Sequence, residues 1–294
     1  MKAPGLFPTG PCPARGSLWS DGRCLPNAIL HPTGVFGMEV AVPVLSAIML
    51  VFIVRKCLRA RSLTWSFLLA VASASTFWLE TFGDWAQHLL YTPYLHHYTV
   101  PIQQSAPHNP VVMPLTYAIY WWAHAWVILR LASWGRQRFP KIGMGTAILS
   151  LSAPVTFLWN LIVEGTTTYF GIWTYDPPIG PAIHWPNGAY WPLLWPVMLM
   201  MGWINLIAWM VRLPEEQHEP NGIERLFKLD KLLSNPGWTR GGNNTSDMQA
   251  GNVRFQLLRL AVWIAFFNVT FALALNLPLY FMRVLGGFGS VWLP

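Results

Sequence analysis

Six stretches of about 20 apolar residues, joined by connections that alternate between basic and base-free, constrain this chain more than any other feature. They run at about 36–54, 63–82, 112–133, 143–165, 189–211 and 257–280. A span in hydrocarbon must satisfy its backbone polar groups internally, so each is expected to be a helix. The expected fold class is all-α: a polytopic integral membrane helical bundle of about six transmembrane helices. Only 11% of residues are charged, against roughly 25% in soluble domains. That gap excludes an ordinary soluble domain and sets the location as a multi-pass membrane protein whose surroundings are a lipid bilayer.

The basic residues give the orientation. Arg55, Lys56, Arg59 and Arg61 fill the first connection, and Arg130, Arg136, Arg138 and Lys141 fill the third. Seven more lie between 212 and 259, whereas 84–111 and 166–188 carry none. By the positive-inside rule, both termini are expected outside. The net charge of +7 therefore follows membrane topology and gives no reason to expect a nucleic-acid partner. Residues 1–35 read as an extracytoplasmic segment without the apolar core of a cleavable signal peptide. Residues 36–294 read as one transmembrane domain with a flexible cytoplasmic loop at 214–250. Cys12 and Cys24 are open to two readings, a disulfide or two free thiols. The sequons at Asn243 and Asn268 are discounted, one by its side and one by its span.

Acids stand out against this background. Glu80 and Glu164 each end an apolar span at the same membrane face, and each precedes an aromatic-rich connection. Ionisable groups at membrane depth are costly and are functional by default. Glu80, Asp84 and His88 follow at intervals of four, so a continuing helix places them on one face, as it does Asn160 and Glu164. Glu39, Asp176 and Asn276 fall in the same outer layer. Trp78, Trp85, Tyr94, Trp159, Tyr169 and Trp173 lie around the acids, with Tyr175 and His184. An aromatic wall contacts a cation with roughly 0.5–2 kcal/mol per face, and a neutral carboxyl beside it serves as a general acid.

Plainer readings compete. Trp and Tyr near span ends commonly form an interfacial belt, and His124 within the third span reads as a hydrogen-bonded bundle residue. No His-x-x-x-His, Cys-x-x-Cys, phosphate-loop or nucleophile-elbow pattern occurs, so no metal and no cofactor are expected.

Three blocks resemble the AveC-like spirocyclase family. They are Trp78-Leu79-Glu80-Thr81-Phe82-Gly83-Asp84-Trp85 with Tyr91-Thr92-Pro93-Tyr94, then Asn160 to Gly165 with Tyr169 to Tyr175, and the stretch from Arg254 to Pro278. The chain departs from the family in having Glu80 where Asp is commoner, and in its 18 Trp. The resemblance implies a cofactor-free cyclase of secondary-metabolite biosynthesis. Such an enzyme closes a dihydroxy-ketone, polyketide-like substrate to a spiroketal through an oxocarbenium ion. On that expectation Glu164 is the acid and Glu80 the stabiliser or base, with Asp84, His88 and Asn160 orienting them. The aromatic set, Asp176 and His184 would bind the hydrophobic small-molecule substrate. Two alternatives stay open: a membrane terpene or meroterpenoid cyclase protonating an epoxide or alkene, and a non-catalytic lipid-binding or transport protein.

Overall fold

The structure, a computed structural model, describes residues 26–30, 32–98, 109–176, 178–212, 220–233 and 253–285. Cys12, Cys24, His108, Asn243 and most of the N-terminal segment lie outside the described residues.

The fold is mostly helical. Among the described residues, four helical stretches are long and apolar enough to cross a membrane: Val35–Ala60, Met144–Tyr169, Leu194–Val211 and Val253–Leu285. The first is α1, Val35–Ala60, and only 11% of its most apolar window is buried. It packs on α4 and α2 through one stripe, centred on Ser46 and Ile53, and leaves the rest of its apolar surface exposed.

The second apolar stretch is not one rod. Helix α2 covers Trp65–Ala74, a 3-10 turn follows at Phe77–Leu79, and α3 covers Glu80–Gln87. The break has a local cause. Ser75 Oγ donates to Ala72 O at 2.7 Å and Thr76 Oγ1 donates to Ser73 O at 2.8 Å, so hydroxyls compete with the helical ladder. The last long helix clamps the broken turn. Asn268 Nδ2 donates to Ser75 Oγ at 2.8 Å, while its Oδ1 accepts from Trp78 Nε1 at 2.7 Å. Asn276 Nδ2 reaches the Leu79 carbonyl at 2.8 Å, satisfying a group that the break exposes.

Helix α4, Met113–Arg138, is 26 residues long but less apolar, because Tyr117, Tyr120, Trp121, Trp122, His124 and Trp126 lie along it. It is followed by α5, Met144–Asn160, a π-helical turn at Leu161–Gly165, and α6, Thr166–Tyr169. The next span bends at Gly202 between α7, Leu194–Met201, and α8, Trp203–Val211. A side chain at Gly202 would lie 2.7 Å from Met198 O and 2.8 Å from Ala274 O, so this bend seats directly on neighbouring backbone. Within 214–250, residues 220–233 form two short helices: α9, Gly222–Leu226, and α10, Leu229–Leu233. Glu224 of α9 pairs with Arg259 at 2.7 Å. Arg259 belongs to α11, Val253–Phe271, which runs through a second π-helical turn, Ala272–Asn276, into α12, Leu277–Leu285.

The two base-free connections fold into strands. Strand β1, Leu89–Tyr91, pairs antiparallel with β2, Trp173–Tyr175, in the register Leu89 with Tyr175 and Tyr91 with Trp173. A second ribbon joins β3, Ala182–His184, to β4, Tyr190–Pro192. Under the first ribbon the core is aromatic. Trp203 meets Trp121 edge-on at 4.7 Å and Phe271 at 5.0 Å, and anchors its indole N–H on Thr270 at 2.9 Å.

Candidate active site

Opposed residues in an antiparallel pair share a face, as do residues two apart. Leu89, Tyr91, Trp173 and Tyr175 therefore project together from the β1–β2 ribbon, and all four line one cavity. Their ring edges meet, Tyr91 and Trp173 lying 5.9 Å apart. Tyr91 Oη donates to Glu80 Oε1 at 2.7 Å. Tyr175 Oη and Trp173 Nε1 both donate to Glu164 Oε2, at 2.8 and 3.0 Å. Burial, reinforced by the carboxylates nearby, holds the phenols of Tyr91 and Tyr175 well above their ordinary range, so both remain donors.

Each acid comes from an irregular helix. Glu80 and Asp84 stand one turn apart on α3, whose start is fixed by the break in the second apolar stretch. Glu164 sits in the first π-helical turn, and Asn276 closes the second. Single π turns widen a helix locally and recur at functional sites, because they aim a side chain that an α-turn would point elsewhere. Here both turns deliver a polar side chain to the same cavity. Asp84 is almost fully buried, and its Oδ2 makes no hydrogen bond among the described residues.

The pocket takes in about 630 Å³ of space not filled by atoms, part of it open to solvent. Tyr117, Tyr120 and Trp121 of α4 supply its aromatic side, Phe271 and Leu275 its floor, and Trp195 and Gln87 one end. Among the described residues, no Lys, Arg or His lines it. Among the described residues, no group of three or more His, Cys, Asp or Glu is placed to hold a metal ion.

Of the residues singled out from sequence, Glu80, Asp84, Glu164, Trp173 and Tyr175 converge on this cavity. Asn276, noted only in the outer layer, lines it too, and the others lie elsewhere. His88 is buried as the left-handed cap of α3, φ 57°, and its carbonyl accepts from Asp176 N at 3.0 Å. The helix ends one residue too early to carry His88 on the face of Glu80 and Asp84. Asn160 is buried one layer behind, donating to Thr156 O at 3.1 Å. Trp159 stacks on His124 at 5.7 Å, and His124 Nε2 lies 3.1 Å from Thr156 Oγ1. Trp78 is committed to Asn268 on an exposed surface. Trp85 stacks on Tyr280 at 5.9 Å and carries the Arg283 guanidinium at 4.1 Å. Tyr94 and Tyr169 are exposed, and His184 stacks on Tyr190 at 4.5 Å. Asp176 is partly buried just past β2, and burial raises its pKa. Glu39 accepts from the His96 backbone N–H at 2.7 Å, tying α1 to the segment after β1.

Sequence reasoning passed over Tyr117, Tyr120, Trp121, Trp195, Gln87 and Asn276 as site residues, and named Tyr91 only within a motif. The spacing of Tyr117, Tyr120 and Trp121, three and four residues apart on one helix, was the available signal. Compared with protein-family models, curated proteins and solved structures, the chain matches none.

Proposed function

We propose that this chain is a cofactor-free acid/base cyclase working on an apolar substrate. The observation that carries this is the convergence of Glu80, Asp84 and Glu164 on one aromatic cavity without a basic residue. The fuller topology belongs to the same proposal: six spans, with α2–α3 and α4 as the two beyond the four long apolar stretches, both termini outside, and the cavity near the outer face.

The favoured reaction is spiroketal closure, as in the AveC-like spirocyclases that the sequence resembles. A hemiketal hydroxyl takes a proton from the Glu80–Asp84 pair, its C–O bond breaks, and water leaves. The ring oxygen shares its lone pair, giving an oxocarbenium ion between the faces of Tyr117, Tyr120 and Trp173. Glu164, already accepting two hydrogen bonds on one oxygen, is suited to remain the anion that steadies this cation. The second hydroxyl then forms the new C–O bond and passes its proton to Glu164, and the released water returns that proton to the pair. This exchanges the roles first assigned to the two glutamates. The reason is that Glu164 is held by two donors, whereas the Asp84 carboxyl keeps an unpartnered oxygen. Holding both hydroxyls near the carbonyl carbon in one orientation also selects one face of closure.

The aromatic lining favours a second reading, protonation of a polyene epoxide by the same pair, as in membrane terpene or meroterpenoid cyclases. The test is purified protein given a linear dihydroxy ketone or a polyene epoxide, with products resolved by mass and chirality. Glu80→Gln, Asp84→Asn and Glu164→Gln are each expected to lower turnover at least a hundredfold while thermal unfolding stays within a few degrees of the parent. Near-parental turnover in Glu164→Gln and Glu80→Gln would overturn the proposal. Consumption of the epoxide alone would select the second reading.

A further inference from the structure

A second pocket, which takes in about 300 Å³ of space not filled by atoms and is partly open to solvent, lies against the first, and the two share Gln87 and Trp195 as lining residues. Its character is different. Gln87 apart, its walls are Ile179, Pro192, Leu194, Met198, Leu279 and Met282, together with the shared Trp195, and no ionisable side chain lines it. Gln87 is not free to fill it, because its Nε2 is drawn back to Gly83 O at 3.1 Å. The wall on the loop side is held close by Gly180, φ 74°, where a side chain would lie 2.5 Å from Leu194 Cδ1. Thus an acid-bearing pocket adjoins one with no ionisable side chain among its described lining residues, and Gln87 and Trp195 are common to both.

We propose that the second chamber is a subsite for the unbranched hydrocarbon tail of a ligand whose oxygenated head lies among the three acids. This deepens the cyclase proposal and rests on it for the identity of the head. Apolar burial is worth about fourfold in affinity per methylene, so a tail passing Trp195 gains affinity with length until the chamber is full and then gains no more. The same alkyl chemistry comes from two sources, a substrate tail or a bilayer lipid's acyl chain, and the experiment separates them.

The full-length protein in lipid nanodiscs is photolabelled with 2-alkanones of graded length carrying a terminal diazirine, and labelled peptides are mapped. Labelling is expected at Ile179, Leu279 or Met282 for the longer probes, displaced by unlabelled 2-alkanone of the same length, and reduced at least tenfold in Met282→Trp. Leu279→Phe is a second, milder filling of the same space in case the Trp variant unfolds. A phosphatidylcholine carrying the diazirine on its acyl chain is the parallel arm. If it labels these residues and alkanone does not compete, the chamber holds lipid and the proposal fails. Labelling confined to the lipid-facing side of α1 overturns it as well. Turnover and labelling are both read on the unsubstituted protein. Loss of turnover and loss of labelling are therefore separate results: an inactive parent that still labels the chamber sinks the cyclase reaction and leaves the subsite standing.

Discussion

At the scale of residues, Asp176 carries a cost that the site can do without. Its pKa is raised from 3.8 by burial, so the fold prefers the neutral acid. A raised carboxyl gives stability that is present in full below the unfolded pKa and is lost as pH rises through the folded value. Replacing Asp176 with Asn removes that dependence. The variant is expected to melt at a higher temperature than the parent near neutral pH and to match it near pH 4. Melting curves across this interval check the sign, and a variant less stable at neutral pH would contradict it. The two cavity glutamates have hydrogen-bond partners: Tyr91 holds Glu80, and Trp173 with Tyr175 holds Glu164. Those acids were legible in the sequence, since a carboxylate at the end of an apolar span is rare. Their partners were partly legible. Trp173 and Tyr175 stood out as aromatic neighbours, but that they donate to Glu164 follows from a strand pairing that three residues of sequence cannot announce.

At the scale of elements, the irregularities are coordinated. The hydroxyl-induced break after Ala74, the bend at Gly202 and the π turn at Ala272–Asn276 touch one another through Asn268, Asn276 and the Gly202 backbone. The apolar runs overlap the four helical stretches long and apolar enough to cross a membrane, but composition is blind to such breaks, because Ser, Thr and Gly pass as ordinary small residues in a membrane helix. The strands were missed for the opposite reason: two aromatic-rich connections without charge look like loops until they pair. Gly202→Ala tests the coordination. The added methyl group meets two backbone oxygens that no rotamer change relieves, so a loss of roughly 1–3 kcal/mol is expected. Thermal unfolding in detergent measures it. A neutral substitution would mean that α7 and α8 separate easily from the final helix.

At the scale of the molecule, the proposed topology puts Tyr94 and the site at one face and the Glu224–Arg259 pair at the other. In a chain with Cys12, Cys24 and Cys57 replaced by Ser, Tyr94→Cys is expected to react with a membrane-impermeant maleimide in intact cells. Asp230→Cys is expected to react only after permeabilisation. The reverse pattern would invert the protein and place the acids towards the cytoplasm.

The β1–β2 ribbon also bears on biogenesis. Its two strands are separated in sequence by α4, α5, the first π-helical turn and α6, so on the proposed topology β1 waits through two further membrane crossings before β2 exists to pair with it. A nascent chain halted before residue 173 lacks Trp173 and Tyr175 to hold Glu164, and lacks Asn268 and Asn276, which clamp the break before Glu80. The cavity is therefore complete only after β2 has registered against β1 and the last long helix has arrived.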